Sequence, residues 1–184
     1  MPKAPALFLD RDGTIIHDVD HIRRPEDVRL IDGAKEALHA CLGAGWSLFI
    51  STNQSGIGRG YFTEADFYAV HARMCELLEL PAPGFIDMRF APERPDQPSL
   101  YRKPSPRFIL EMAAKHDLDT SRAWMVGDRK SDWEAGLNAG IRAAAFTYGG
   151  KVFGEADAAF CRENGIAVHR TLAEFVRETL GVTA

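Results

Sequence analysis

The chain has 184 residues, 46% hydrophobic and 26% charged, which is the profile of an ordinary soluble globular domain. Its net charge of −4 argues against a general binder of nucleic acid or membrane surfaces. The three scattered cysteines form no C-x-x-C pair, so neither a disulfide framework nor a zinc ribbon is indicated. We expect one domain over residues 1–184, monomeric and cytoplasmic, with no signal peptide ahead of the first strand.

The first predicted strand ends in two acidic residues. Residues 7–9 are apolar and run into Asp10 and Asp12, and Gly13 follows as a turn signal. In open α/β sheets, ligands bind beside the carboxyl ends of strands. Carboxylates this close repel each other, so they need a shared proton or a cation, and Mg²⁺ suits oxygen ligands. An isolated Asp-x-Asp pair can equally cap a helix or face solvent.

A polar loop over residues 17–25 follows, with Asp18, Asp20 and His21 as its candidate functional residues. The spacing matches no familiar set of metal ligands, which favours a solvated loop. Its place beside Asp10 also makes it a candidate wall of a binding site. A helix is predicted after this loop, with its apolar face over residues 34–42.

The second predicted strand covers residues 46–50 and ends in a polar run over residues 51–56. Hydroxyl and amide groups gathered at a strand end can converge on an anion. The glycines that follow lack the G-x-G-x-x-G spacing of a dinucleotide-binding loop, and Arg59 is the one cation among them. The candidate ligands are Thr52, Asn53, Gln54, Ser55 and Arg59.

The next helix is predicted to begin after Thr63, which can cap it, and His71 falls on its apolar face as a packed core residue. The third predicted strand, over residues 85–90, alternates between apolar and polar residues, as partly exposed strands do. A loop rich in proline and charge then leads to Lys103, which the neighbouring prolines would hold rigidly. Ser105 is the predicted N-cap of the helix that follows.

The fourth predicted strand, over residues 123–126, is followed by Asp128. Ser131 and Glu134 have the spacing of a capping box, and Asp132 would fall in the first turn of that helix. A fifth strand over residues 142–146, a flexible connection over residues 148–150 and a last helix after Thr171 complete the chain. Strands that alternate with helices predict a parallel sheet covered on both faces.

Four polar clusters therefore lie at predicted strand ends or loops: Asp10 with Asp12, Thr52, Lys103 and Asp128. Their order and setting resemble the haloacid dehalogenase superfamily of phosphohydrolases. Residues 8–15, 52–57, 102–104 and 125–128 further resemble the D-glycero-D-manno-heptose-1,7-bisphosphate 7-phosphatases and the related histidinol-phosphatases. The resemblance implies a Rossmann-like α/β/α sandwich of five or more parallel strands in the order 5-4-1-2-3. The short connections after Asp12 and Thr52 leave no room for a cap domain.

The resemblance also implies the chemistry of Mg²⁺-dependent phosphomonoester hydrolysis. Asp10 would attack phosphorus and form an aspartyl-phosphate, while Asp12 would act first as the acid and then as the base. Thr52 would bind a phosphoryl oxygen, and Lys103 would hold the growing negative charge. Asp10, the backbone carbonyl of Asp12 and Asp128 would hold the metal.

The implied substrate is a small phosphorylated sugar, above all a heptose bisphosphate, with histidinol phosphate or another sugar phosphate next. The family match places Arg102, Asn53 and Gln54 near the sugar or the distal phosphate. Arg129 stands where the heptose enzymes have a lysine, and residues 18–21 lie where relatives close over the sugar.

One stretch departs from those relatives. Many of them carry a Cys-x-His…Cys-x-Cys zinc loop before the Arg-Lys-Pro motif, but residues 91–101 here contain no Cys or His. We therefore expect no structural zinc, with prolines stiffening the loop instead. Arg107 and Phe108 also replace the usual Gly-Met after the last proline. Both changes bear on substrate choice more than on phosphatase activity.

Two other classes of function compete with this one. A phosphate- or nucleotide-binding module that has lost catalysis would lack the nucleophile or the acid, and both Asp10 and Asp12 are present. A nucleic-acid end phosphatase would carry a basic stripe interleaved with aromatic residues, which this acidic chain lacks. No nucleic-acid or membrane partner is expected.

Overall fold

The computed structural model describes residues 3–148 and 153–182. Its centre is a six-stranded sheet in the order β3-β2-β1-β4-β5-β6, with every pair of neighbours parallel. The strands are β1 (Ala6–Leu9), β2 (Ser47–Asn53), β3 (Phe85–Ala91), β4 (Ala123–Gly127), β5 (Arg142–Phe146) and β6 (Ala167–His169). The predicted order of the first five strands is confirmed, and β6 extends the sheet beyond β5.

The connections between the strands are helical. In the described residues the α-helices are α1 (Ala34–Gly43), α2 (Ser55–Gly58), α3 (Glu64–Leu78), α4 (Arg107–Lys115), α5 (Lys130–Asn138), α6 (Glu155–Glu163) and α7 (Leu172–Glu178). Short 3-10 turns cover Pro25–Asp27 and Thr120–Arg122. Within residues 3–148 and 153–182, no helix has both the length and the apolar character needed to cross a membrane.

Strand β1 is fully buried because apolar layers cover both faces of the sheet. Successive side chains of a strand point to opposite faces, so Leu7 and Leu9 join the core under α1, α3 and α7. Phe8 lies on the other face and stacks on Phe49 of β2, with 4.9 Å between ring centroids. Phe108 of α4 meets Phe8 edge-on on the same face. The predicted α/β/α sandwich is confirmed.

Strand β2 is longer than predicted. It continues through Thr52 and Asn53, which pair with Phe90 and Ala91 of β3. Hydroxyl and amide side chains suggested a loop here, but the hydrogen bonds to β3 hold the backbone extended. Thr52 is therefore fixed by the sheet.

Two predicted helix starts are wrong. Helix α4 begins at Arg107, one residue later than predicted, with Pro106 at the N-cap; the Ser105 hydroxyl accepts the N–H of Arg107 at 3.4 Å and donates to the carbonyl of Leu100 at 2.7 Å. Helix α5 begins at Lys130, ahead of the predicted cap at Ser131. At α5 the N-cap is Arg129, whose backbone N–H donates to Oδ2 of Asp132 at 3.0 Å.

Other expectations for helices and strands had mixed outcomes. The caps at Thr63 and Thr171 are confirmed, since each hydroxyl accepts a hydrogen bond from a backbone N–H of its helix. Helix α6 and strand β6 were not predicted. Gly149 and Gly150, in the connection expected to be flexible, lie outside the described residues.

Candidate active site

The candidate active site lies where the carboxyl ends of β2, β1 and β4 meet. These three strands are neighbours in the sheet, so Thr52, Asp10 and Asp128 come together from distant parts of the sequence. All three side chains are buried. The backbone N–H of Asp10 donates to the carbonyl of Val126 at 3.0 Å, which extends the pairing of β1 with β4 to the first acidic residue.

A cavity of about 210 Å³ opens beside these strand ends. Most of the predicted site residues line it, together with Ile22, Gly56, Ser131 and Asp132. The predicted residues in its wall are Asp10, Asp12, Asp18, Asp20, His21, Thr52, Asn53, Gln54, Ser55, Arg102, Lys103 and Arg129.

Lys103 reaches into the centre of this group. Its ammonium lies 2.6 Å from Oδ1 of Asp10, 2.6 Å from the backbone carbonyl of Ser51 and 2.6 Å from Oδ1 of Asp132. Burial alone would lower the pKa of Lys103, but the two carboxylates outweigh it and raise that pKa above its usual value. The lysine is therefore held as a cation.

The backbone of Lys103 is fixed by Asn53. The side-chain amide of Asn53 donates to the carbonyl of Lys103 at 3.1 Å and accepts from its N–H at 3.0 Å. Asn53 was predicted as a substrate ligand, and in the structure both of its polar atoms bind Lys103. Its direct effect is to position the lysine.

Asp132 is a site residue that the sequence reasoning missed. Its side chain is buried, and Oδ2 accepts the backbone N–H of Arg129 at 3.0 Å while Oδ1 faces Lys103. Gly127 makes room for it, because a Cβ there would lie 2.2 Å from Oδ2 of Asp132. The available signal was its place in the first turn of the helix that follows the acidic end of β4.

The buried carboxylates carry more negative charge than Lys103 can neutralise. Oxygen atoms of Asp10, Asp128 and Asp132 lie within 4.8 Å of one another. Burial raises the pKa of Asp10 to about 8; Asp132 and Asp128 add to the rise, and Lys103 opposes it. A compact set of hard oxygen donors with excess negative charge fits Mg²⁺.

The side chain of Asp12 belongs to a different set of contacts. Nε of Arg11 donates to its Oδ1 at 3.1 Å, and Nη2 of Arg11 donates to its Oδ2 at 3.0 Å. Nε2 of Gln54 donates to the same Oδ2 at 2.6 Å and also to Oγ1 of Thr52 at 2.9 Å. Gln54 thus links Asp12 to Thr52, whose hydroxyl keeps its own hydrogen for another acceptor.

Arginines surround the outer part of the cavity. Arg102 is half-buried, and burial together with the nearby charges of Arg59 and Arg129 lowers its pKa, with Glu93 only partly offsetting them. Nη2 of Arg129 lies 2.8 Å from Oδ2 of Asp18, so one ion pair connects α5 to the loop over residues 17–25. Nε of Arg129 also lies 3.9 Å from Oδ1 of Asp128, so Arg129 links the outer wall to the buried acids.

Arg59 does not lie in the cavity wall. It lines two adjoining surface depressions with Tyr61, one of which it shares with His21 and the other with Arg94. Because Arg59 does not line the cavity, its predicted role in substrate binding depends on the effect of its positive charge near Arg102. The ring of His21 packs against Tyr61, with 4.7 Å between ring centroids.

The loop before Lys103 is held by hydrogen bonds. The Ser99 hydroxyl donates to Oε2 of Glu93 at 2.7 Å and accepts the backbone N–H of Arg102 at 3.1 Å. The guanidinium of Arg102 donates to the carbonyl of Glu93 at 3.2 Å, and the carbonyl of Pro92 accepts the N–H of Gly58 at 3.0 Å. These contacts fix Arg102 at the cavity.

An acid at the tip of the central strand, beside a buried lysine and under a cationic rim, defines an enzyme of phosphoryl transfer. Comparisons with known proteins agree with that class. A family model described as HAD-hydrolase-like matches residues 100–174. A D-glycero-D-manno-heptose-1,7-bisphosphate 7-phosphatase of Thermosynechococcus vestitus is 38% identical over 151 residues, which covers 76% of each chain.

Further relatives agree with this result. A D-glycero-beta-D-manno-heptose-1,7-bisphosphate 7-phosphatase of Helicobacter pylori is 40% identical over 74% of this chain and 79% of its own length. The crystal structure of the D,D-heptose 1,7-bisphosphate phosphatase from B. bronchiseptica, complexed with magnesium and phosphate, superposes with a TM-score of 0.84 at 27% identity. That match covers 96% of this chain and 98% of the other. The chain belongs to the haloacid dehalogenase-like family, and it is a phosphatase.

Proposed function

We propose that this phosphatase is a Mg²⁺-dependent phosphomonoester hydrolase that removes the 7-phosphate of D-glycero-D-manno-heptose 1,7-bisphosphate through an aspartyl-phosphate. The observation that carries the proposal is the cavity whose wall holds Asp10 and Lys103 together with the arginines Arg102 and Arg129. The relatives named above support the choice of sugar.

In the first step, a carboxylate oxygen of Asp10 attacks phosphorus, and the bond from phosphorus to the sugar oxygen breaks. Asp12 gives its proton to that leaving oxygen. In the second step, Asp12 takes a proton from water, the water oxygen attacks phosphorus, and the bond to Asp10 breaks to release phosphate. Thr52 donates its hydroxyl hydrogen to a phosphoryl oxygen throughout.

Attack by a carboxylate on a phosphate is opposed by charge repulsion. Mg²⁺, when bound by Asp10, Asp128 and the backbone carbonyl of Asp12, supplies the positive charge that cancels this repulsion. Lys103 contributes a fixed ammonium beside Asp10 that needs no reorganisation during the reaction.

A second phosphate on the substrate accounts for the arginines. Arg102 and Arg129 lie in the cavity wall, Arg59 lies close by, and the pKa of Arg102 is lowered by its burial and by these like charges. A dianionic phosphate would relieve that repulsion and accept bidentate hydrogen bonds. Histidinol phosphate, the alternative substrate, carries one phosphate and would offer Arg102 no second phosphate to bind.

A substrate panel tests the proposal. We expect kcat/KM to be highest for the heptose 1,7-bisphosphate, lower for a heptose 7-phosphate and for histidinol phosphate, and lowest for a 3′-phosphorylated oligonucleotide. Arg102→Met should reduce the preference for the bisphosphate over the monophosphate. Arg122→Met, which removes an exposed arginine paired with Asp119, is the matched control. A higher kcat/KM for histidinol phosphate would refute the choice of sugar.

A further inference from the structure

Arg11 is a charged residue inside the core, and the mechanism above does not use it. Its side chain is completely buried. The guanidinium carbon lies 4.7 Å from the ring centroid of Phe67 in α3, a cation–π distance. Its edge meets both oxygens of Asp12 at 3.1 and 3.0 Å. Burying a charge is costly unless it is paired, so this residue serves the carboxylate it holds.

We propose that Arg11 is a positioning residue that reserves the carboxylate of Asp12 for proton transfer and keeps it from binding the metal. This inference rests on the proposed role of Asp12 as acid and base. At the strand ends, the side-chain oxygens of Asp10, Asp128 and Asp132 converge as a possible metal site, and Asp12 is not part of that group. The guanidinium of Arg11 explains why the Asp12 carboxylate stays apart from this group, because it donates hydrogen bonds to both oxygens of Asp12.

The pattern of donors also assigns the proton to one atom. Among the described residues, Oδ2 of Asp12 accepts from both Arg11 and Gln54, whereas Oδ1 accepts from Arg11 alone. A carboxylate oxygen with fewer donors keeps a lone pair that can bind a proton. We therefore assign the transferred proton to Oδ1.

A lysine could not replace this arginine. The planar guanidinium grips both oxygens of a carboxylate at once and lies flat on an aromatic ring, whereas an ammonium is a point charge without fixed orientation. Arg11→Lys would keep the positive charge and let Asp12 rotate. If Arg11 acts by orienting Asp12, the positive charge kept in Arg11→Lys is not enough for function.

The first experiment compares two substrates of different leaving-group quality. For the heptose bisphosphate, whose alkoxide needs a proton, Arg11→Lys should lower kcat/KM by about 10²-fold, the loss expected from a misplaced catalytic group. For p-nitrophenyl phosphate, whose leaving group departs without a proton, kcat/KM should fall much less. Equal losses on the two substrates would overturn the proposal. Arg122→Lys is the control for an exposed Arg–Asp pair.

The second experiment repeats Arg11→Lys in an Asp12→Asn background, measured with p-nitrophenyl phosphate. If Arg11 acts through Asp12, the double variant is no slower than Asp12→Asn alone, because residues that act together are not additive. An additional loss would show a general structural role and would overturn the proposal.

The outcomes separate this inference from the proposed function. Wild-type turnover by Asp12→Asn would refute the acid–base role itself. An inactive Asp12→Asn beside a fully active Arg11→Lys would refute only the positioning role. If Arg11→Lys does not fold, Phe67→Leu removes the ring beneath the guanidinium and must show the same difference between the two substrates; no difference would overturn the proposal.

Discussion

The ammonium of Lys103 lies 2.6 Å from Oδ1 of Asp10, although the two residues are 93 positions apart in the sequence. The same ammonium lies 2.6 Å from Oδ1 of Asp132. One buried cation therefore serves two buried carboxylates. This arrangement fixes the acid at the strand tip and also leaves the site with unbalanced negative charge, and several predictions depend on it.

Lys103→Met should abolish turnover and destabilise the fold. Removing one partner of a buried ion pair leaves uncompensated charge and typically costs about 3–5 kcal/mol. Urea denaturation without added metal gives the loss in the free energy of unfolding. Lys115→Met, which breaks an exposed pair with Asp87 at 3.1 Å, should cost less than about 1 kcal/mol. Turnover near the wild-type rate in Lys103→Met would contradict the site.

Removal of Mg²⁺ should stop the reaction, and its addition should raise Tm. A ligand at about 100 times its Kd stabilises the folded state by about 2.7 kcal/mol. Asp128→Asn should lose this thermal shift as well as activity, because it removes a proposed ligand. Glu155→Gln, which changes an exposed acid in α6, should keep both. Full activity in excess EDTA would rule out the metal.

His71 should make the fold sensitive to acid. Burial, with a smaller effect from Arg11, lowers the pKa of His71 to about 4 from its usual 6.5. Above pH 6.5, His71 is neutral in both the folded and the unfolded protein, so it has no effect on the free energy of unfolding. Below pH 6.5, the unfolded chain binds a proton at His71 before the folded protein does, so the free energy of unfolding falls as the pH is lowered to about 4. We expect a loss of about 2 kcal/mol, reduced by the partial exposure of the ring.

Urea titrations of the wild type and His71→Gln at several pH values measure this effect. The variant should lose less stability than the wild type between pH 6.5 and 4. Parallel curves for wild type and His71→Gln would place the acid sensitivity elsewhere.

Ser99→Ala should raise KM more than it lowers kcat. The Ser99 hydroxyl connects Glu93 to the backbone of Arg102, and the loss of one such hydrogen bond costs about 1 kcal/mol. A several-fold rise in KM for the bisphosphate is expected, with Ser121→Ala as the control on the far side of the sheet.

The absence of zinc from the loop before Lys103 remains a prediction, and metal analysis of the purified protein tests it.

The sequence predicted the fold well where its signals were local. Apolar runs that end at acids marked β1 and β4, and Thr63 and Thr171 marked two helix starts. It was less reliable where a long-range partner decided the outcome. Pairing with β3 kept Thr52 in a strand.

By itself, the sequence determined that Asp10, Thr52 and Asp128 would meet, because parallel strands present their carboxyl ends at one edge of a sheet. Only the tertiary structure decided which side chains touch there. It paired Asp132 with Lys103, turned the guanidinium of Arg11 onto Asp12 and placed Arg59 outside the cavity wall. Sequence patterns fix the backbone position of a residue, whereas the direction of a long side chain depends on charges and packing that arrive from distant segments.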